Sequence, residues 1–175
     1  MKSMNIKLII GLVLLVALAR LSPHPWNVTP VGALALFCGA YLPRRIAWLV
    51  PVCTTLAVDM MIGLYNPILM AFVYGAFACS TVIGSSWLSE RRSVNRVGGA
   101  VLTGALAFYL ISNIGPWLAL YPLTTNGLIA CYINALPFFG RSLVGDGVYA
   151  ILFFGLFESI RYVTSRLSIR HANKK

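Results

Sequence analysis

The chain has 175 residues, 59% of them hydrophobic and only 10% charged, with a mean hydropathy of +0.82. A soluble domain carries roughly 25% charged residues, so the composition excludes an ordinary soluble fold and indicates a lipid-embedded one. The formal charge of +10, from 14 Lys and Arg against 4 Asp and Glu, falls between apolar runs, where basic residues act as topology signals, so nucleic acid is not an expected partner.

Six apolar segments follow one another at residues 5–20, 29–42, 46–65, 67–88, 97–120 and 143–162. Roughly 20 residues cross a bilayer core, so the first two are short and are expected to be tilted, extended by their flanks or incompletely spanning. The first also has the features of a signal peptide: Lys2 and Lys7, an apolar core, and a small-residue site at Ala17, Leu18 and Ala19. Cleavage before Arg20 would leave five spans; retention as a first helix is the expectation. Next comes "LSPHPWNVTP" at 21–30, too richly furnished for a plain connector. Its prolines stiffen the backbone and Trp26 suits a membrane interface, which leaves His24 and Asn27 to face a ligand.

Asp59 lies near the end of the third span, followed by the tight turn "GLYNP" at 63–67. The fourth span, "AFVYGAFACSTVIGSSW", places Ala71, Gly75 and Cys79 on one helix face and Ala76, Ser80 and Gly84 on another. Spacing by four between small residues permits close helix contact, and Ala100 and Gly104 repeat it in the fifth span. Tyr109, Asn113 and Trp117 recur every four residues toward the end of that span, as a pocket wall would. An Asn in mid-span, however, more often bonds a neighbouring helix than a ligand. "YPLTTNGLIACYINALPFFGRS" at 121–142 is punctuated by Pro122, Gly127 and Pro137. It reads as a long structured loop with one short interfacial helix. Asp146 opens the sixth span, and Glu158 and Arg161 sit i,i+3 within it as a structural pair.

Charge placement orients the spans. Lys2, Lys7, Arg44, Arg45, Arg91, Arg92, Arg96, Arg161, Arg166, Arg170, Lys174 and Lys175 fall on one side, and only Arg20 and Arg141 on the other. Both termini are therefore expected in the cytoplasm. The segments with varied chemistry (21–30, 63–67 and 121–142) then share the outer face, where a partner is met. Asp59 and Asp146 are costly in hydrocarbon, and each needs an ion-pair partner or a polar ligand. Arg20, Arg141 and His24 are the cations available to them.

The four cysteines, Cys38, Cys53, Cys79 and Cys131, form neither a CxxC pair nor a Cys/His cluster at zinc spacing. No Walker A loop, HExxH or GxSxG motif is present, and nothing repeats internally as in many secondary transporters. The expectation is a binder or subunit without enzymatic activity and without a cofactor of its own.

Three stretches carry a resemblance: "RLSPHPWNVTPVGALALFCGAYL" at 20–42, "DMMIG" at 59–63 and "SNIGPWLALYPLTTNGLIACYINALPFFGRSLVGDGVY" at 112–149. They are similar to a bacterial family of small membrane proteins that resemble the substrate-binding S components of energy-coupling-factor (ECF) transporters, nearest to the BtuM-type solitary cobalamin uptake proteins. The resemblance implies an all-α, six-helix S-component bundle in the inner membrane, forming a single domain that binds a vitamin on its outer side. The implied partners are the lipid bilayer and an ECF-type coupling subunit with ATPases, although solitary members act without a dedicated module. His24, Asn27, Asp59 and Arg141 would line or brace the pocket. Cobalamin, as transported substrate, would bring cobalt, for which the Cys79 thiol is the candidate soft ligand and His24 the weaker alternative. Cys79 lies about 18 Å below the outer end of its span at 1.5 Å per residue, so Phe72 and Tyr74 are better placed for an outer pocket, and Tyr121, Asn113 and Asp146 complete the expected set. The rival reading is a structural or assembly membrane protein of the cell envelope without transport activity.

Overall fold

The computed structural model describes residues 6–22 and 28–172, with side chains described for 9–22 and 28–162. Eight helices and no strands occur among the described residues: α1 (Ile6–Leu21), α2 (Val31–Tyr41), α3 (Arg44–Ala47), α4 (Leu49–Ile62), α5 (Pro67–Trp87), α6 (Val94–Ser112), α7 (Ile114–Leu120) and α8 (Thr125–Ala172). Four stretches are long and apolar enough to cross a bilayer: Arg44–Ile62, Pro67–Trp87, Val94–Leu120 and Thr125–Tyr162. They mark the chain as a helical membrane protein. Their outward positions, among them Met60, Val82, Leu102, Val148 and Ile151, are large, apolar and exposed, as lipid-facing residues are. Six crossings were expected; α1 and α2 fall short of the length of the other four.

The 11-residue α2 is the axis of the bundle. Residues 31 to 40 are all buried, consistent with a sequence that is apolar on every side. It packs on α5, α8, α4 and α6. The closest approach is to α5, where a Cβ on Gly39 would fall on the Thr81 carbonyl and one on Gly84 on the Leu36 backbone. The stripe Ala76, Ser80 and Gly84 therefore faces α2, whereas Ala71 and Gly75 face outward. Phe37 anchors the other flank, its ring 5.3 Å from Phe154 and 5.5 Å from Phe157, both edge-on.

Two helix breaks share one cause. Proline removes an N–H and its ring clashes with the carbonyl four residues earlier. Pro51 follows the break at Trp48 by three residues, and Pro116 follows the break at Asn113 by three. In lipid, freed carbonyls must find donors, and around Asn113 they do. The Asn113 side chain donates to the Tyr109 carbonyl at 2.7 Å, and the Tyr132 hydroxyl of α8 donates to that of Leu110 at 2.6 Å.

The segment 121–142, expected as a loop, is helical from Thr125 onward and continuous with the last span. Thr124 supplies the start, its hydroxyl oxygen accepting from Gly127 N–H at 3.2 Å, an N-cap. Gly127 belongs to the first turn because a Cβ there would strike the Pro122 carbonyl. Pro137 sits inside the helix, which membrane helices tolerate where neighbours satisfy the backbone. Gly127, Cys131 and Ala135, spaced by four, are buried.

The basic residues do more than mark topology. Arg92 donates to the Ala40 carbonyl at 2.9 Å and lies 4.4 Å over the Tyr41 ring, and Arg96 donates to Trp87 at 3.1 Å. Those carbonyls end α2 and α5, where cations are favoured. The expected Glu158–Arg161 pair is present at 3.3 Å and is joined by the Tyr41 hydroxyl, which donates to Glu158 at 2.6 Å.

Candidate functional site

At the end of the bundle opposite these arginines, α1 and α4 finish and α2 and α5 begin. Arg20 stands in the last turn of α1 and Asp59 in the last turn of α4, 2% exposed. Because α1 packs on α4, Arg20 Nη2 donates to Asp59 Oδ1 at 2.8 Å. The Tyr74 hydroxyl of α5 donates to Asp59 Oδ2, also at 2.8 Å. Both carboxylate oxygens are thereby engaged, as a buried charge requires. Arg20 is not fully engaged: its Nη1 is buried and has no hydrogen-bond partner among the described residues.

Asp59 also ends its helix through its carbonyl, which accepts from Gly63 N–H at 2.9 Å. Gly63 has φ +117°, open to glycine without strain, and the turn it makes leads to Tyr65. Burial, together with the nearby Asp59 carboxylate, pushes the Tyr65 phenol above its ordinary value against the lowering effect of Arg20. Tyr65 is thus a neutral hydroxyl at physiological pH, able to donate or accept.

A second carboxylate meets the start of α2. Pro30 occupies the N-cap position and offers no side-chain cap. Asp146 supplies one from α8, its Oδ1 accepting from Ala33 N–H at 3.1 Å, where the helix dipole favours negative charge. Gly32 makes room for it, since a Cβ there would collide with the Asp146 carboxyl. Gly145 lets α8 approach the chain just before α2, since a Cβ there would lie 3.2 Å from Val28.

Arg20 and Asp146 border one cavity of about 270 Å³. Thr29, Tyr65 and Ser142 add polar groups to its lining, while Val73 and Phe77 of α5 and Phe108 of α6 form an apolar wall. Val73 and Phe77 share a helix face by their i,i+4 spacing, and the Phe77 and Phe108 rings lie 4.8 Å apart. A few convergent polar groups in an apolar wall are the usual makings of a small-molecule site. Among the described residues no group of three or more His, Cys, Asp or Glu is placed to hold a metal ion.

The residues expected from sequence are distributed unevenly around this cavity. Asp146 lines it, Asp59 braces Arg20, which also lines it, and Tyr74 in turn holds Asp59. His24 and Asn27 lie outside the described residues. Phe72 packs at Gly115 of α7, and Asn113 repairs the helix break. Tyr121 accepts from Asn134 Nδ2 at 3.2 Å, and Arg141 is exposed. Cys79 is half-buried and, two residues beyond Phe77, points about 200° around α5 from the apolar wall. Sequence reasoning missed Thr29, Gly32, Tyr65, Val73, Phe77, Phe108 and Ser142, and gave Arg20 no specific partner. Thr29 and Tyr65 stand in two segments already marked by their varied chemistry; Val73, Phe77 and Phe108 carry no mark that separates a pocket wall from any other apolar position in a span.

A family model described as a family of unknown function matches residues 2–167, nearly the whole chain. No curated protein and no solved structure matches it.

Proposed function

The chain belongs to the DUF6580 family, a family of unknown function, and from the cavity between its helices we propose that it is a substrate-binding integral membrane subunit for uptake of a micronutrient. The observation that carries this reading is the pairing of a half-buried guanidinium, one nitrogen of which has no partner among the described residues, with a buried carboxylate around one apolar-walled cavity of about 270 Å³. The positive-inside distribution supports placing that cavity toward the outer face, with both termini in the cytoplasm of a bacterial cell and the chain in its inner membrane. On the same reading α1 and α2 complete six crossings, and an ECF-type coupling subunit with its ATPases supplies energy.

Small-molecule pockets run from roughly 300 to 1,000 Å³, so the cavity suits a solute of one or two rings in this conformation. A corrinoid, the substrate implied by the resemblance to BtuM-type proteins, requires the helices to part. Cobalt ligation by Cys79 requires more, because that thiol faces away from the cavity wall.

A second reading, a structural or assembly protein, draws on the outward face of α5, where nothing lies within 4 Å of a Cβ placed on Gly75 and another helix has room to dock. Binding separates the two. Purified protein is titrated with cobalamin, cobinamide and a panel of smaller vitamins, and a strain lacking its own importer for any solute bound is tested for growth with this chain. Saturable binding at micromolar concentration and restored growth are expected for the uptake subunit. No binding by any member of the panel overturns that reading and favours the structural one.

A further inference from the structure

Resting on the reading of this cavity as a solute site, we propose that its ligand is a small zwitterion with an apolar, ring-sized body, its anionic end on Arg20 and its cationic end on Asp146. Three observations carry this. First, Arg20 Nη1 is a buried donor on a charged group with no partner among the described residues, and leaving such a donor unpaired is costly. Nη2 is already held by Asp59, and both Asp59 oxygens are taken, by Arg20 and Tyr74. Asp59 therefore fixes the guanidinium without competing for Nη1, and an oxygen acceptor in the cavity completes the fork.

Second, the Asp146 carboxyl also borders the cavity, and among the described residues the hydrogen bond it accepts comes from one backbone N–H, that of Ala33. A carboxylate has lone pairs for about four donors. The start of α2 offers it only a partial positive charge, so a ligand ammonium or N–H meets an unfilled demand. Third, Val73, Phe77 and Phe108 line the same cavity with apolar surface, which selects against a solute polar all over. An anion alone would leave Asp146 unanswered, and a cation alone would leave Arg20 unanswered.

The test uses the full chain in lipid nanodiscs and four probes built on one ring: 4-(aminomethyl)benzoate and phenylalanine as zwitterions, benzoate and benzylamine as their single-charge analogues. Binding is followed by isothermal titration. At least one zwitterion is expected to bind about tenfold or more tighter than both single-charge analogues, the scale of one charge-assisted hydrogen bond. Arg20→Lys keeps a cation for Asp59 but lacks the second fork donor, and is expected to erase the preference for the zwitterion over benzylamine. Asp146→Asn keeps an oxygen for Ala33 N–H and is expected to erase the preference over benzoate. Thermal unfolding of both variants shows that they remain folded; if either does not, the four-probe comparison on the native chain alone decides. Equal binding of zwitterions and single-charge analogues, or no binding by any of the four, overturns the proposal. Cobalamin or another vitamin binding where the zwitterions fail overturns it while leaving the uptake reading intact. A zwitterion that binds tightly but is never taken up upholds the ligand class and overturns uptake.

Discussion

A carboxylate in an apolar interior costs several kcal/mol unless a cation and hydrogen bonds accompany it, and the surroundings of Asp59 follow from that cost. Removing Asp59 should strand Arg20: Asp59→Ala is expected to lower stability by about 3–5 kcal/mol, read as thermal or denaturant unfolding in detergent. The Arg20→Ala/Asp59→Ala double variant should lose clearly less than the sum of the two singles. Additive losses would show that the 2.8 Å pair contributes nothing as a pair. Gly32→Ala should cost about 1–3 kcal/mol, because the new methyl collides with the Asp146 carboxyl; an unchanged unfolding midpoint would count against Asp146 as the cap of α2. Both aspartates were legible in the sequence because ionisable groups stand out in hydrocarbon. Their partners were less so: Arg20 lies 39 positions from Asp59, and Ala33 N–H lies 113 from Asp146. A backbone donor leaves no trace in residue identity.

The helices, α1 and α2 included, were visible as apolar runs, and the misreading at 121–142 has a specific origin. Pro122, Gly127 and Pro137 punctuate a soluble chain, where water satisfies the backbone of a loop. In a membrane protein an unpaired backbone is the costlier option, and Thr124 begins a helix that carries Pro137 within it. Thr124→Ala should therefore destabilise by about 1 kcal/mol, with amide exchange rising first in 125–128; no change in either would show that α8 starts without this cap. The stripes of small residues were also visible, but not which of them is used. Ala76, Ser80 and Gly84 meet α2, while Gly75 on the other stripe has open space beside it. Spacing by four states that a close contact is possible and leaves its partner to the packing of the whole bundle.

At the scale of the molecule, charge divides the two ends. The arginine end sets guanidinium groups on helix carbonyls, and the other end gathers two aspartates, Arg20, Tyr65 and Tyr74 where α1, α2, α4, α5 and α8 meet. This division was legible from the placement of basic residues alone, whereas the cavity required the apolar wall that only the fold assembles. The central claim is that the cavity holds a solute, and native mass spectrometry of the chain gently extracted from its own membrane tests it most directly. Val73→Trp, which adds an indole to the wall of the cavity, serves as the comparison. The native chain is expected to carry a discrete small-molecule mass that the variant lacks, with both chains folded and the variant's unfolding midpoint unchanged or raised. Bare chain in both spectra, or the same bound mass in both, would contradict it.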